Sequence, residues 1–207
     1  MYIPKYFNVD DTEEVWKFVE QHAFGTVVTT VDGKPVATHV PLQVHREGEK
    51  VSITGHLAYG NRQWRTLEST DSVLVLFQGP HAYVSSSWYE KENVPTWNYQ
   101  AVHVYGKARL LSEDELKRDL AGLLHKYEAH RESPVLWETL SPELVAKELK
   151  GIVGFTIHVT DVQAAYKLSQ NRNERDYKAI IDKLEEEADD HSHQVAHVMK
   201  QRTEDMV

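Results

Sequence analysis

Six consecutive residues, Val94-Pro95-Thr96-Trp97-Asn98-Tyr99, combine a proline, an indole, a side-chain amide and a phenol. The proline fixes φ, so the chain enters Thr96 already constrained. An indole beside an amide offers a flat apolar face next to a paired donor and acceptor. Such a set either fills a hole in the core or holds a planar heteroaromatic ring. Three other clusters carry polar groups that packing alone does not call for: Thr38-His39-Val40-Pro41, Gly55-His56-Leu57-Ala58-Tyr59-Gly60-Asn61 and Lys167-Leu168-Ser169-Gln170-Asn171-Arg172. In the second, a strand-like run ends in a glycine-bearing turn, and a short helix is expected from Asn61 to Glu68. The first N–H groups of such a helix are free to meet a phosphate. The last cluster supplies an ammonium, amides and a guanidinium. An amide-rich, weakly basic set with a tryptophan suits a phosphorylated heteroaromatic ligand, and solvated strand ends with core histidines are the plainer reading of the same residues. Near the C-terminus, His193 and His197 would share one helix face beside His191, Asp189 and Asp190. No third or fourth ligand of fixed geometry is implied, so no metal site is assigned.

The elements that must position these groups read mainly as strands. Asp10 or Asp11 caps a first helix, with Glu13 and Glu14 in its first turn. Phe24 to Val31 is β-branched and ends at Asp32-Gly33, a hairpin turn signal. Strands follow at Val36 to Val44, Val51 to His56, Ser72 to Gln78 and His81 to Ser85, the last two separated by Gly79-Pro80. After a loop holding Trp97, Ala101 to Leu111 alternates like a long strand. Ser112 with Glu115 is a capping-box signature opening a helix that carries Leu116, Leu120, Leu123, Leu124 and Tyr127 on one face. A second helix starts at Ser141-Pro142-Glu143 and ends at Gly151; Ile152 to Lys167 is a last strand, and Asp176 to Glu187 a final helix. This order argues for a mainly β, α+β chain: one β-barrel with peripheral helices. Its expected core is Val27, Val40, Val51, Ile53, Leu74, Leu76, Val104 and Phe155. Residues 1–170 are expected to form the barrel domain with its inserted helices, and 171–207 a C-terminal helix and a mobile acidic tail bearing histidines.

Composition narrows the function classes. The 207 residues suffice for a sizeable core without covalent staples. There is no cysteine, which removes disulfides, thiolate metal sites and thiol nucleophiles. The N-terminal residues lead straight into the acidic run Asp10-Asp11-Thr12-Glu13-Glu14, with no secretory pattern, and no apolar run reaches spanning length; a cytoplasmic protein without a membrane partner is expected. A formal net charge of −9 repels nucleic acid over most of the surface, and no basic recognition helix offsets it. Serine-nucleophile, Gly-rich phosphate-loop and metalloprotease motifs are absent, and no acid–base pair stands out beyond His39 and His56.

Gly25-Thr26-Val27-Val28-Thr29, Gly79-Pro80-His81-Ala82-Tyr83-Val84-Ser85 and Gly151-Ile152-Val153-Gly154-Phe155, together with the four clusters above and in this order, resemble the motif set of the PaiB-type proteins. The resemblance runs from Tyr2 to about Leu184. It implies a negative transcriptional regulator of protease synthesis and sporulation built as a split β-barrel, related in fold to pyridoxamine-phosphate oxidases. It further implies a homodimer with FMN at the subunit interface, and DNA or another regulator as partner. A flavin-dependent oxidoreductase, or a flavin- or haem-binding protein acting on a small molecule, is the alternative on the same fold. Cofactor contacts are expected from His39, His56, Ala58, Asn61, Arg62, Trp97, Asn98, Lys167 and Gln170, lining one pocket. Trp97 and His39 would meet the ring; Lys167 and the amides of the Asn61 helix would meet the phosphate. Where the family usually carries a basic residue followed by Asn-Pro, this chain has Tyr59-Gly60-Asn61-Arg62. Weak FMN binding is therefore expected, with Arg62 as the substitute cation.

Overall fold

The structure is a computed structural model that describes residues 1–204. Seven strands form one sheet in the order β2-β1-β5-β6-β7-β4-β3, where β1 is Phe24–Val31, β2 Lys34–Pro41, β3 Gln43–Glu47, β4 Lys50–Ala58, β5 Val73–Val84, β6 Thr96–Leu110 and β7 Ile152–Lys167. Five α-helices accompany them: α1 Thr12–Gln21, α2 Glu113–Glu128, α3 Pro142–Leu149, α4 Glu174–Glu186 and α5 Asp190–Glu204. The chain divides into two compact units. One comprises Val19–Phe77 and Val104–Val162; the other comprises Met1–Phe18, Gln78–His103 and the chain from Gln163 on.

The first unit owes its closure to one residue. β1 and β2 are an antiparallel hairpin whose turn residues Asp32 and Gly33 have φ of 48° and 76°, the left-handed geometry that matches strand twist. β2 then passes to β3 through Leu42 alone, although these strands lie at opposite ends of the sheet order. The sheet must therefore curl until its edges meet, and β2 touches β4. The single strand expected from Val36 to Val44 is broken here. Leu42 is 2% exposed, and its N–H donates to the Ala23 carbonyl at 2.8 Å. A Cβ on Gly25 or Gly55 would come within 2.9 or 2.8 Å of its δ-carbons, so both strands need glycine to let Leu42 fill the barrel. Val27, Val40, Ile53, Val104 and Phe155 are buried as expected. Val51, Leu74 and Leu76 are only half-buried. On β5 the core-facing residues are instead Val73, Val75 and Phe77. Every residue from Val73 to Phe77 is apolar, so alternation carries no phase there.

Gly79-Pro80 does not end β5. The strand runs on to Val84, and its buried positions change from odd to even numbers, with Pro80, Ala82 and Val84 facing inward. A one-residue phase shift is the signature of a bulge. Trp97, expected in a loop, lies in the opening turn of β6. α2 opens with the predicted capping box: the Ser112 N–H donates to Glu115 Oε2 at 2.8 Å and the Ser112 hydroxyl accepts from the Glu115 N–H. Only Leu116 of its leucines is buried; Leu120, Leu123 and Leu124 are half-exposed and Tyr127 is exposed.

In the second unit, Tyr166 near the end of β7, Leu168 just past it, and Ile180, Leu184, Val195, Ala196 and Met199 of α4 and α5 are all nearly inaccessible. Asn173 caps α4 by accepting the Asp176 N–H at 2.9 Å. Past α4, where a mobile tail is expected from the sequence, residues up to 204 form α5. It is tied to α4 by Tyr177, whose hydroxyl donates to the Met199 carbonyl at 3.0 Å. Residues 205–207 of that tail lie outside the described residues.

Candidate functional site

Five of the nine expected site residues belong to the first unit. His39 is exposed on β2 and stacks on Phe24 with ring centroids 6.3 Å apart. His56 lies half-buried near the end of β4; its Nδ1 is enclosed and meets no hydrogen-bond partner among the described residues. Burial lowers the imidazole pKa, and the Asp119 carboxylate pulls it partly back. Ala58 ends β4 and accepts the Asn61 N–H at 2.8 Å, which turns the chain into a 3₁₀ segment, Arg62–Thr66. The Asn61 amide donates to the Thr38 hydroxyl at 2.9 Å and accepts from the Gln63 N–H at 3.1 Å.

This segment corrects one expectation. It is five residues of 3₁₀ geometry rather than a helix over 61–68; the Asn61 N–H is taken by the Ala58 carbonyl and the Gln63 N–H by the Asn61 side chain. These two donors are therefore not available to a phosphate. What remains is the Arg62 guanidinium, exposed and without an ion pair among the described residues. Gln63 is the residue that the sequence reading missed. It is 2% exposed; its amide donates to the carbonyls of Val27 and Val36, each at 3.0 Å, and accepts from the Thr38 hydroxyl. Gln63 and Asn61 thus rivet the turn to the β1–β2 hairpin. Beside them Tyr59 leans on Trp64 at 5.7 Å, and Arg65 lies 5.2 Å over the Trp64 ring.

The other four residues belong to the second unit. Trp97 is 53% exposed, edge-on to Tyr83 at 5.9 Å and 6.1 Å from His81. With Asp189 and His191 these rings line a cavity of about 320 Å³. The Lys167 ammonium donates to the Thr96 hydroxyl and lies 6.0 Å from the Phe7 ring. Burial, then the Arg172 charge, lowers its pKa. Asn98 and Gln170 differ from expectation. Asn98 is fully buried, accepting from the Ser169 hydroxyl at 3.0 Å and donating to Met199 sulfur at 3.4 Å. Gln170 accepts the Leu168 N–H at 2.7 Å and donates to the Tyr166 carbonyl at 2.6 Å. Both amides hold the end of β7 and present nothing to a ligand. The histidines near the C-terminus are dispersed: His193 meets the Glu187 carbonyl, His197 meets Gln201, and His191 packs on His81. Among the described residues no group of three or more metal-ligating side chains occurs.

Each unit offers groups that a flavin mononucleotide needs. In the first unit Arg62 offers a cation for a phosphate; in the second, taken by itself, Lys167 offers a cation and Trp97 an open aromatic face.

Residues 1–161 match the family described as "Putative FMN-binding domain". The chain belongs to that family. Within it, a Bacillus subtilis relative named protease synthase and sporulation protein PAI 2 is 60% identical over 98% of both chains, in agreement with the resemblance drawn from the motifs. An uncharacterised protein of Emericella nidulans is 30% identical over 74% of this chain and 66% of its own. Among solved structures, the flavocytochrome Anf3 of Azotobacter vinelandii superposes with a TM-score of 0.64 at 19% identity, covering 86% of this chain and 78% of its own. An FAD- and haem-binding protein of Mycobacterium smegmatis superposes with a TM-score of 0.58 at 16% identity, covering 77% and 73%. The FMN-binding family member described here therefore has the split-barrel fold of flavin-binding proteins, and FMN is the cofactor its family assignment supports. No helix among the described residues is long and apolar enough to cross a membrane.

Proposed function

We propose that this chain is a cytoplasmic, FMN-binding homodimer that lowers protease synthesis and acts in sporulation control. The observation that carries the regulatory role is the 60% identity to the Bacillus subtilis protein over 98% of both chains. Repression is proposed to run through a partner regulator rather than through direct reading of DNA, because the net charge is −9 and no helix concentrates basic residues. Dimerisation is proposed because a symmetric pair is the commonest assembly; Tyr127, Val135 and Leu144 of the first unit, 41%, 49% and 43% exposed, are apolar side chains that such a pair could cover.

For the cofactor, the proposed contacts in the first unit are Arg62 with the phosphate and His39 with the ring, beside His56; in the second unit, taken by itself, Lys167 and Trp97 are the proposed phosphate and ring contacts. Ala58 and Asn61 shape the turn that presents Arg62. Bound FMN would supply redox chemistry, which is what the oxidoreductase alternative would use. Complementation tests the regulatory reading. In a Bacillus subtilis strain lacking the relative, this chain should restore secreted-protease activity and spore counts to wild-type levels. Unchanged levels, with the protein present at normal abundance, would contradict it.

A further inference from the structure

The face of the sheet beneath the first half of α2 is lined with polar groups where aliphatic side chains would be expected. Across β3, β4 and β7, His45 lies opposite Ser52 and Ser52 opposite His158; in the adjacent row Gln43 lies opposite Thr54 and Thr54 opposite Thr156. Thr54 and Thr156 are 8% and 3% exposed. The buried threonine pair under a helix is informative, because packing alone favours apolar residues there; His45 and His158 in the other row are exposed and Ser52 is half-buried. A cavity of about 500 Å³ opens over them, lined also by Lys50, Arg109, Glu115, Arg118 and Asp119. That volume suits a small molecule.

The cavity is a built site. The Asp119 carboxylate, 5% exposed, accepts through Oδ1 from the Gln43 amide at 2.8 Å and from the Thr54 hydroxyl, and His45 Nε2 lies 3.5 Å away. Thr54 donates its only proton to Asp119, so the 2.8 Å contact between His45 Nε2 and Thr54 Oγ1 requires Nε2 to be the donor. The neutral ring is thereby held with Nδ1 as an acceptor. Asp119 Oδ2 takes part in none of these bonds. The charges around the cavity are unevenly committed. Glu115 is engaged by Arg109 at 2.7 Å and by the Ser112 N–H at 2.8 Å. Lys50, Arg118 and Glu47 line the cavity, are exposed and form no ion pair among the described residues, so two uncommitted cations stand against one uncommitted carboxylate, which lies across from Lys50 in the β3–β4 pairing.

We propose that this cavity is a second binding site, for a small polyol bearing a phosphate or carboxylate. The anionic group meets Arg118 and Lys50, while the hydroxyls meet Thr156, His158 and the free oxygen of Asp119. None of these residues belongs to the proposed flavin contacts, so the two assignments stand or fall separately.

Calorimetric titration of the full chain with glucose 6-phosphate, gluconate, glucose and inorganic phosphate tests this. Glucose 6-phosphate or gluconate should bind, with affinity falling as salt is added. Arg118→Gln and Lys50→Gln should each weaken binding about tenfold or more. Both positions are exposed, and unchanged circular dichroism and melting of the variants would show that the fold is intact. His158→Gln should weaken the sugar anions and leave any weak phosphate binding unchanged. Three results would each overturn the proposal: no binding of either sugar anion, binding of glucose or inorganic phosphate as tight as that of the sugar anions, or binding indifferent to Arg118→Gln and Lys50→Gln.

Discussion

Gln63 shows how much a single buried amide holds in this chain. Its two N–H donors satisfy the Val27 and Val36 carbonyls, and its oxygen takes the Thr38 proton. Gln63→Ala should lower stability by about 1–3 kcal/mol, because buried acceptors lose their donors; urea denaturation of the two proteins measures it. His56 makes a prediction of a different kind. Its folded pKa lies below the ordinary 6.5 because burial disfavours the imidazolium. The unfolded chain therefore binds the proton first as pH falls. The stability associated with a neutral His56 is present above about 6.5 and is lost as pH drops through the folded value. Melting temperatures between pH 7.5 and 5 should fall less steeply for His56→Gln than for the wild type; parallel curves would assign the acid sensitivity elsewhere. Arg62 and Trp97 are exposed and Lys167 half-buried, so these side chains stay open to the roles expected from the sequence. The roles of Asn98 and Gln170 were not legible there, because an amide that serves a ligand and one that closes a turn look alike without their neighbours.

At the scale of elements, the first hairpin and the α2 capping box were readable because each is set by local chemistry: left-handed turn residues in one, a reciprocal side-chain bond in the other. The break at Leu42 and the continuous β5 were not. Leu42 sits in an apolar run with no turn residue after Pro41, and its break is imposed by barrel closure, a long-range demand. Gly79-Pro80 resembles a turn but lies inside one continuous strand whose burial changes phase there. The packing of Leu42 between Gly25 and Gly55 yields a test. Leu42→Ala should cost about 2–5 kcal/mol, as a fully enclosed leucine leaves a cavity that its strand neighbours cannot fill. A loss below about 1 kcal/mol would show that the barrel collapses readily at this point.

For the whole molecule, the order of strand-like runs pointed to a barrel, and the resemblance of seven ordered motifs spanning most of the chain pointed to the family. Neither foretold α5, whose apolar residues Val195, Ala196 and Met199 are sparse enough to read as a tail yet all are buried. Dimerisation belongs to this scale. Sedimentation at micromolar concentration should give twice the 23.9 kDa chain mass, and a monomer would contradict the proposed dimer. The central claim is that the chain binds FMN through the Arg62 turn. Tyr59 supplies no charge there, so the affinity should be modest and should rest on Arg62. A charge-assisted bond to phosphate contributes on the order of 1.5–3 kcal/mol, or roughly ten- to a hundredfold in affinity. The most direct measurement is a fluorescence titration of FMN with the wild type, Arg62→Ala and Tyr59→Arg at fixed ionic strength. Saturation at one flavin per chain is predicted, weakened about ten- to a hundredfold by Arg62→Ala and strengthened by Tyr59→Arg. No saturable binding by the wild type, or binding that ignores both substitutions, would contradict the account.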